Sequence, residues 1–529
     1  MSPRLAALAA PFVVAAIVMV NGWSGVMPGV GFWDTGEFQT VLPILGTAHP
    51  TGYPTYVLLG FVANLLLTPI GEPAFRVNVL SLIAVAVAAG ATVALVRRLS
   101  GSPIVGVAVG LGLATTPLVW KYAMAADPHP IHLAFVALLL LALVKWEQER
   151  SAALEAGAAG GAARADRWLV IAAVLFGLAA GNHSLTLLLV PPIGLYVLTV
   201  EPRIWRRWRF ALACLGAAAL TLVLVYLELP LRGGLVPALT APLVYARPAT
   251  WDGFWYIALA EQFRGSLSDP FADLAGKWAQ LVALGSSQFG LLAIAIPPAF
   301  LATARRAPRY ALLTGLAFVI TIVFNASYSN ADINRYYLGP VLWAWTWLGV
   351  LAADLALLAG TFAAAVLDRG RNVRADDRAL GLATAVAGLA LGLVLLLPAF
   401  DDLDARRAGA DRSRDREAQA WLAQALPAIS DNAVLVSWWS TSTPLWYAQK
   451  VEGDRPDIFI VDDRTMLDLG LGRAPDVINR YLGENRPVYV IRLPGPDTDE
   501  LTAQFDMTVV AGTESTTVWR VRGRLTAQP

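Results

Sequence analysis

The sequence predicts an all-α polytopic membrane body followed by a small α/β domain at the C-terminal end. Three observations carry that prediction. Of the 529 residues, 57% are apolar and only 15% charged, against roughly a quarter charged in an ordinary soluble domain. The mean hydropathy is +0.56. Charge is also unevenly spread: residues 401–529 hold 20 acidic and 15 basic side chains, so the first 400 residues are sparsely charged. This division gives a transmembrane region over 1–400 and a soluble, extracytoplasmic α/β domain over 401–529. A net charge of +1 implies no broad basic surface, and nucleic acid is excluded as the main partner. Cys214 is the single cysteine. It lies in an apolar run and reads as a small core residue.

A spanning helix needs about 20 mostly apolar residues. About eleven segments meet that description, at 5–22, 76–97, 103–120, 131–146, 168–181, 185–200, 209–229, 287–303, 309–328, 337–366 and 379–397. The first has no small-residue cleavage pattern after it and reads as a retained anchor. The segments 168–181 and 185–200 are short and predict a hairpin with the tip "GNHS" below the membrane surface.

A further apolar run, 55–71, is decided by charge. If it does not cross, one side of the membrane collects 18 basic residues, Arg4 through Arg378, and the other only seven. Positive residues stay in the cytoplasm. The segment is therefore expected to be a juxtamembrane or re-entrant helix, with the N-terminus inside and the tail outside. Of the 18, Arg374 lies outside the residues described below. The cytoplasmic stretch "ALEAGAAGGAARA" (153–165) reads as a flexible linker.

In the tail, 416–426 and 473–485 have helical spacing. The runs 433–439, 457–463 and 487–493 are short, β-branched and aromatic. Alternation of helix and strand predicts a partly parallel sheet. No Gly-rich phosphate fingerprint follows any of these strands.

In this topology all four histidines, His49, His129, His132 and His183, face outward with Asp34, Glu37 and Asp127. Ionisable groups at membrane depth are costly and usually functional. The first outer loop, "GFWDTGEFQTVLPILGTAHPTGYPTY", places Asp34 and Glu37 at i, i+3, on one helix face. Adjacent carboxylates can split roles, one an ionised base and one with a raised pKa. The competing structural reading is a helix cap, with Asp34 capping and Glu37 as its box partner. "AHPTGYP" fixes the backbone around His49 and Tyr53. In "ADPHPIH", Asp127, His129 and His132 suit either a polar helix start or part of a divalent-metal site; no other cofactor is called for. "INRYY" places Arg335 and Tyr336 at a membrane boundary, as an interfacial anchor or as a phosphate clamp. The long outer loop 230–285, with Trp251, Trp255, Tyr256, Glu261 and Arg264, has the length to cover a cavity.

With these motifs in hand the chain resembles the GT-C superfamily of multi-pass glycosyltransferases. "WDTGEF…LGTAHPTGYPTY" and "GNHS" look like the DUF2723 family, which includes a vertebrate protein O-mannosyltransferase. The similarity covers about 1–330. The tail stretch "PLWYAQKVEGDRPDIFIV" is similar too, although Ser-Trp-Trp stands where the family has Gly-Asp. The resemblance implies transfer of a sugar, mannose or another hexose, from a polyprenyl-phosphate donor to a hydroxyl of a protein, glycan or lipid acceptor outside the cytoplasm. It implies Asp34 as catalytic base with Glu37 its neighbour. His49, Tyr53, Asp127, His129, His132, His183, Arg335 and Tyr336 are candidates to bind donor or acceptor. Placement would be the inner or plasma membrane. The alternative class is a multi-pass lipid or solute transporter; its usual inverted repeats are absent from the sequence. A membrane metalloprotease would want H-E-x-x-H, which does not occur.

Overall fold

The computed structural model describes residues 3–330, 332–371, 377–493, 495–513 and 516–525. The protein is a multi-pass membrane protein. Among the described residues, seven helices are long and apolar enough to cross a membrane: Pro73–Ser100, Pro128–Glu155, Ile204–Leu235, Leu274–Arg306, Pro308–Ser327, Ile333–Val366 and Ala379–Asp401. The helices Pro103–Ala114 and Pro117–Ala123, bent by 64°, make an eighth if they form one span. Seven or eight of the eleven expected spans are thus met by length and composition among the described residues. Of the other three segments, the first is the 21-residue helix Pro3–Trp23, and Ser184–Val200 and Arg167–Asn182 are shorter apolar stretches, the latter of 16 residues. The segment read as not crossing is the 13-residue helix Pro54–Leu66, about 20 Å long against a ~30 Å hydrocarbon core. The stretch 153–165, expected as a flexible linker, is largely helical, with Ala159–Ala165 a separate turn of helix. Alanine, the strongest helix former, outweighs its glycines.

Burial separates central from peripheral helices. In Pro73–Ser100 and Pro128–Glu155, 78% and 83% of the apolar window is buried. In Ile204–Leu235 and Leu274–Arg306 the share is 11% each, and Leu212, Leu215 and Leu220 point outward as lipid-facing side chains do. Lipid offers no hydrophobic drive between helices, so the central ones pack through small residues. In "AVAVAAGATVAL", a Cβ on Gly90 would lie 2.8 Å from the Pro11 carbonyl oxygen, which fixes the approach of the first helix.

The tail folds as expected and adds two strands. Strands β1 (Val434–Ser437), β2 (Phe459–Val461), β3 (Val488–Ile491), β4 (Phe505–Ala511) and β5 (Val518–Arg524) form one sheet in the order β2-β1-β3-β5-β4. The first three are parallel; β5 pairs antiparallel with β3 and β4. β1 and β3 are buried along their whole length, as central parallel strands require. The helix Trp439–Tyr447 leaves β1 and docks onto the membrane body. The Tyr447 hydroxyl accepts a hydrogen bond from the Ala74 amide at 3.1 Å. Val30 and Ala74 share one apolar core with Trp421 and Leu435.

Candidate active site

The acidic motif forms the helix Trp33–Ile44. Its cap is Phe32, with no side-chain hydrogen bond, so the capping reading of Asp34 and Glu37 does not hold. Trp33 lies in the left-handed region, φ +58°, a strained conformation that aims the following turn. Gln39 anchors the helix from behind. Its Oε1 accepts from the Gly31 amide at 2.7 Å, and its Nε2 donates to Asn78 Oδ1 at 2.8 Å. Asn78 sits on the buried helix Pro73–Ser100, and its Oδ1 also accepts from the Ala126 amide at 2.9 Å. One buried amide thus ties the acidic motif to the "ADP" loop.

Glu37 and His49 form a buried ion pair through Oε2 and Nδ1; Glu37 Oε1 also accepts from the His49 amide at 2.7 Å. Burial pushes the Glu37 carboxyl above its ordinary range, and the nearby His49 only partly opposes this. Burial alone would lower the His49 pKa, but the Glu37 carboxylate and Asp34 outweigh it, so the net direction is up. Asp34 differs: its side chain is 32% exposed against 1% for Glu37, and its Oδ2 lies 3.3 Å from Arg335 Nη1. The same guanidinium nitrogen is 3.7 Å from Asp127 Oδ2.

Asp127 caps the helix Pro128–Glu155, accepting from the His129 amide at 2.7 Å. Its Oδ1 is also 2.7 Å from His129 Nδ1. Burial raises the Asp127 pKa against the pull of Arg335. The polar helix start is thus the geometry adopted by "ADPHPIH".

All ten candidate residues form one chain of contacts. From His49 the Tyr53 hydroxyl lies 3.2 Å from Nε2, and the Tyr53 ring meets His183 at 5.7 Å. His183 meets His129 at 4.6 Å and His132 at 5.9 Å. Tyr336 stacks on His129 at 5.3 Å, and Tyr328 stacks on Tyr336 at 5.7 Å. His132 Nδ1 faces Thr186 Oγ1 at 3.3 Å. Among the described residues, no three His, Cys, Asp or Glu side chains converge so as to hold a metal. Asp127 occupies His129 Nδ1 and Thr186 faces His132 Nδ1.

Among the described residues, His129 Nε2, Arg335 Nε and Asn182 Oδ1 are buried polar atoms without a hydrogen-bond partner. Buried polar groups are normally paired, so these atoms are available to a polar ligand. Asn182 belongs to the "GNHS" tip and holds the Pro128 carbonyl at 3.0 Å.

The sequence did not single out Trp439. Its ring stands edge-on to His49 at 5.7 Å and to Tyr245 at 5.9 Å. Part of the outer loop expected as a cover is helical, Trp251–Ala258. Arg464 of the tail lies over the Tyr245 and Tyr256 rings at 5.3 and 4.6 Å, so tail and loop close one wall of the site together. The signal was the Ser-Trp-Trp departure from the family's Gly-Asp, whose role only the packing reveals.

Residues 34–205 match the family model of the protein O-mannosyl-transferase TMEM260 N-terminal domain. This bears out the resemblance carried by the acidic and "GNHS" motifs. Over 220 residues the chain is 33% identical to protein O-mannosyl-transferase TMEM260 of Mus musculus, a match that covers 41% of this chain and 28% of the mouse protein. Among solved structures, ArnT from Cupriavidus metallidurans bound to undecaprenyl phosphate superposes with a TM-score of 0.57 at 16% identity, over 97% of each chain. The Archaeoglobus fulgidus oligosaccharyltransferase tethered with an acceptor peptide gives a TM-score of 0.52 at 13% identity, over 99% of this chain and 74% of that one. At such identities the likeness is one of fold, and the fold is that of the GT-C glycosyltransferases.

Proposed function

We propose that the protein is a GT-C-type glycosyltransferase. It moves mannose or another hexose from a polyprenyl-phosphate donor to an acceptor hydroxyl on the extracytoplasmic side of the inner or plasma membrane, with inversion. The observation that carries this reading is Arg335, a guanidinium 14% exposed, shared by Asp34 and Asp127, with Nε unpartnered. A glycosyl phosphate already has a good leaving group. What the protein must supply is a base for the acceptor and fixed positive charge for the departing phosphate. Arg335 suits the second task through its planar donor fork.

Asp34 suits the first task, because it is the exposed carboxylate of the pair. The acceptor oxygen attacks the anomeric carbon and loses its proton to Asp34. The bond from that carbon to the phosphate oxygen breaks, and the electron pair leaves with the polyprenyl phosphate. A single displacement inverts the anomeric centre. Glu37 is buried and engaged by His49, so its task is to hold His49 and Tyr53 in place. The aromatic series Tyr328, Tyr336 and His129 gives the lipid-linked sugar an apolar approach. No step calls for a metal.

The test is incubation of the purified protein with a panel of polyprenyl-phosphate sugars and peptide, glycan and lipid acceptors, read by mass spectrometry. The expected result is consumption of one donor with a glycosylated product of inverted configuration. Movement of intact donor across proteoliposomes with no product would instead establish a transporter.

A further inference from the structure

The parallel part of the tail sheet carries a cleft that the proposed chemistry does not use. β1, β2 and β3 run parallel, so the residues that follow them emerge at one edge: Trp438 after β1, Asp463 just after β2, Arg492 after β3. In open α/β sheets, ligands bind outside the carboxyl ends of the strands. A cleft of about 380 Å³ opens there, lined by Asp463, Arg473, Arg492, Asp497 and Glu500 over Met466 and Leu501. Ligand sites usually measure about 300–1,000 Å³.

Arg492 makes this a built feature rather than a dimple. Its side chain is only 6% exposed, a costly position for a charge unless it is paired. Its Nη2 lies 2.7 Å from Asp463 Oδ1, and its Nη1 lies 3.8 Å from Asp497 Oδ2. The guanidinium sits 5.5 Å from the Trp438 ring centre, and its Nε has no hydrogen-bond partner among the described residues. Arg473 is paired with Glu500 at 2.5 Å.

The charge of the lining decides the class of occupant. Two arginines face three carboxylates, and each arginine already has its counter-charge. An anion would meet net negative charge, and a cation would meet guanidinium groups. A neutral polyol suits both, because each of its hydroxyls can accept from a guanidinium and donate to a carboxylate, while its CH groups rest on Met466 and Leu501.

The geometry points to a second carbohydrate-binding site in this cleft, separate from the acidic cluster and selective for neutral sugars. Trp438 packs on Arg492, and the next residue, Trp439, packs on His49. Cleft and candidate active site therefore share one two-residue hinge between strand and helix. The cleft is placed to hold the glycan part of an acceptor; that identification rests on the transferase reading, whereas the binding does not.

The experiment is saturation-transfer NMR on the full-length protein in detergent, with methyl α-mannoside and mannobiose as probes and inorganic phosphate as competitor. The variant is Arg473→Ala/Asp497→Ala, whose two side chains are 73% exposed and outside the core; a thermal melt checks its fold. We expect a signal in the wild type and in Asp34→Asn, weakened about tenfold in the double variant by loss of charge-assisted hydrogen bonds, and unaffected by phosphate. Absence of signal in the wild type, an unchanged signal in the double variant, or displacement by phosphate would each overturn the site. A cleft that binds sugar in a protein inactive with every donor would leave the site standing and the transferase reading fallen.

Discussion

Arg335 reaches Asp34 across 301 positions of sequence, with 3.3 Å between Nη1 and Oδ2. Between Arg4 and Arg76 the sequence holds no Lys or Arg, so nothing local announces this partner. The pairing sets a carboxylate and a cation side by side at one end of the bundle. A phosphate arriving at Arg335 would compete with Asp34 for the same nitrogen and leave the carboxylate free to accept a proton.

Asp34→Asn should fold and retain donor, because Asp34 is a third exposed and caps no helix. It should lose transfer by about 10²–10⁴, the usual contribution of a general base. Glu37→Gln should lose less. Donor turnover by mass spectrometry is the measurement; near-normal turnover by the Asn variant would remove Asp34 from the base role.

Much of this site was legible because its residues come in short strings. The acidic motif, "ADPHPIH" and "GNHS" each stand on one element, and one-sided placement of four histidines pointed to a shared location. The relations among strings were not legible. Gln39 to Asn78, Arg335 to Asp34 and Trp439 to His49 are tertiary contacts with no local periodicity. β5 was missed because "VWRVRGR" places an arginine at every second position, which reads as charge rather than as the solvated face of an antiparallel strand.

The Glu37–His49 pair predicts a pH dependence of stability. Both groups have folded-state pKa values raised above their ordinary ones, 4.5 and 6.5. The folded protein therefore binds protons more tightly than the unfolded chain, and stability falls as pH rises. A tenfold difference in proton affinity between the two states is worth about 1.4 kcal/mol. For His49 the contribution is complete below pH 6.5 and is lost as pH rises through the raised folded value. Melts of the wild type and a Glu37→Gln/His49→Asn variant between pH 5 and 9 should converge towards the alkaline end. Curves that stay parallel would contradict the raised values.

The orientation predicts surface labelling. The Asp431 side chain is 95% exposed, and Cys214 is buried. In an Asp431→Cys/Cys214→Ser protein, a membrane-impermeant maleimide should label intact cells or, in a double-membraned cell, spheroplasts. Labelling only after lysis would invert the topology and move the site to the cytoplasm.

Gly36 tests whether the tail must seat on the acidic helix. A Cβ there would lie 2.2 Å from the Gly31 carbonyl oxygen and 2.8 Å from Thr443 Oγ1. The first atom is backbone of the loop that Gln39 holds, and the second belongs to the helix that carries Trp439. Elsewhere in a helix Gly→Ala usually helps, by about 0.5–1 kcal/mol; here overpacking should cost about 1–3 kcal/mol. Something must give, and the tail helix is the part that can lift away. Gly36→Ala should therefore lower the melting temperature, expose the tail to protease and reduce transfer, because Trp439 leaves His49. Gly194→Ala, where a Cβ meets nothing within 4 Å, should do none of these. If Gly36→Ala melts like the wild type but transfers poorly, the defect lies in the aim of Asp34. If it melts and transfers normally, close seating of the tail is not needed for the site.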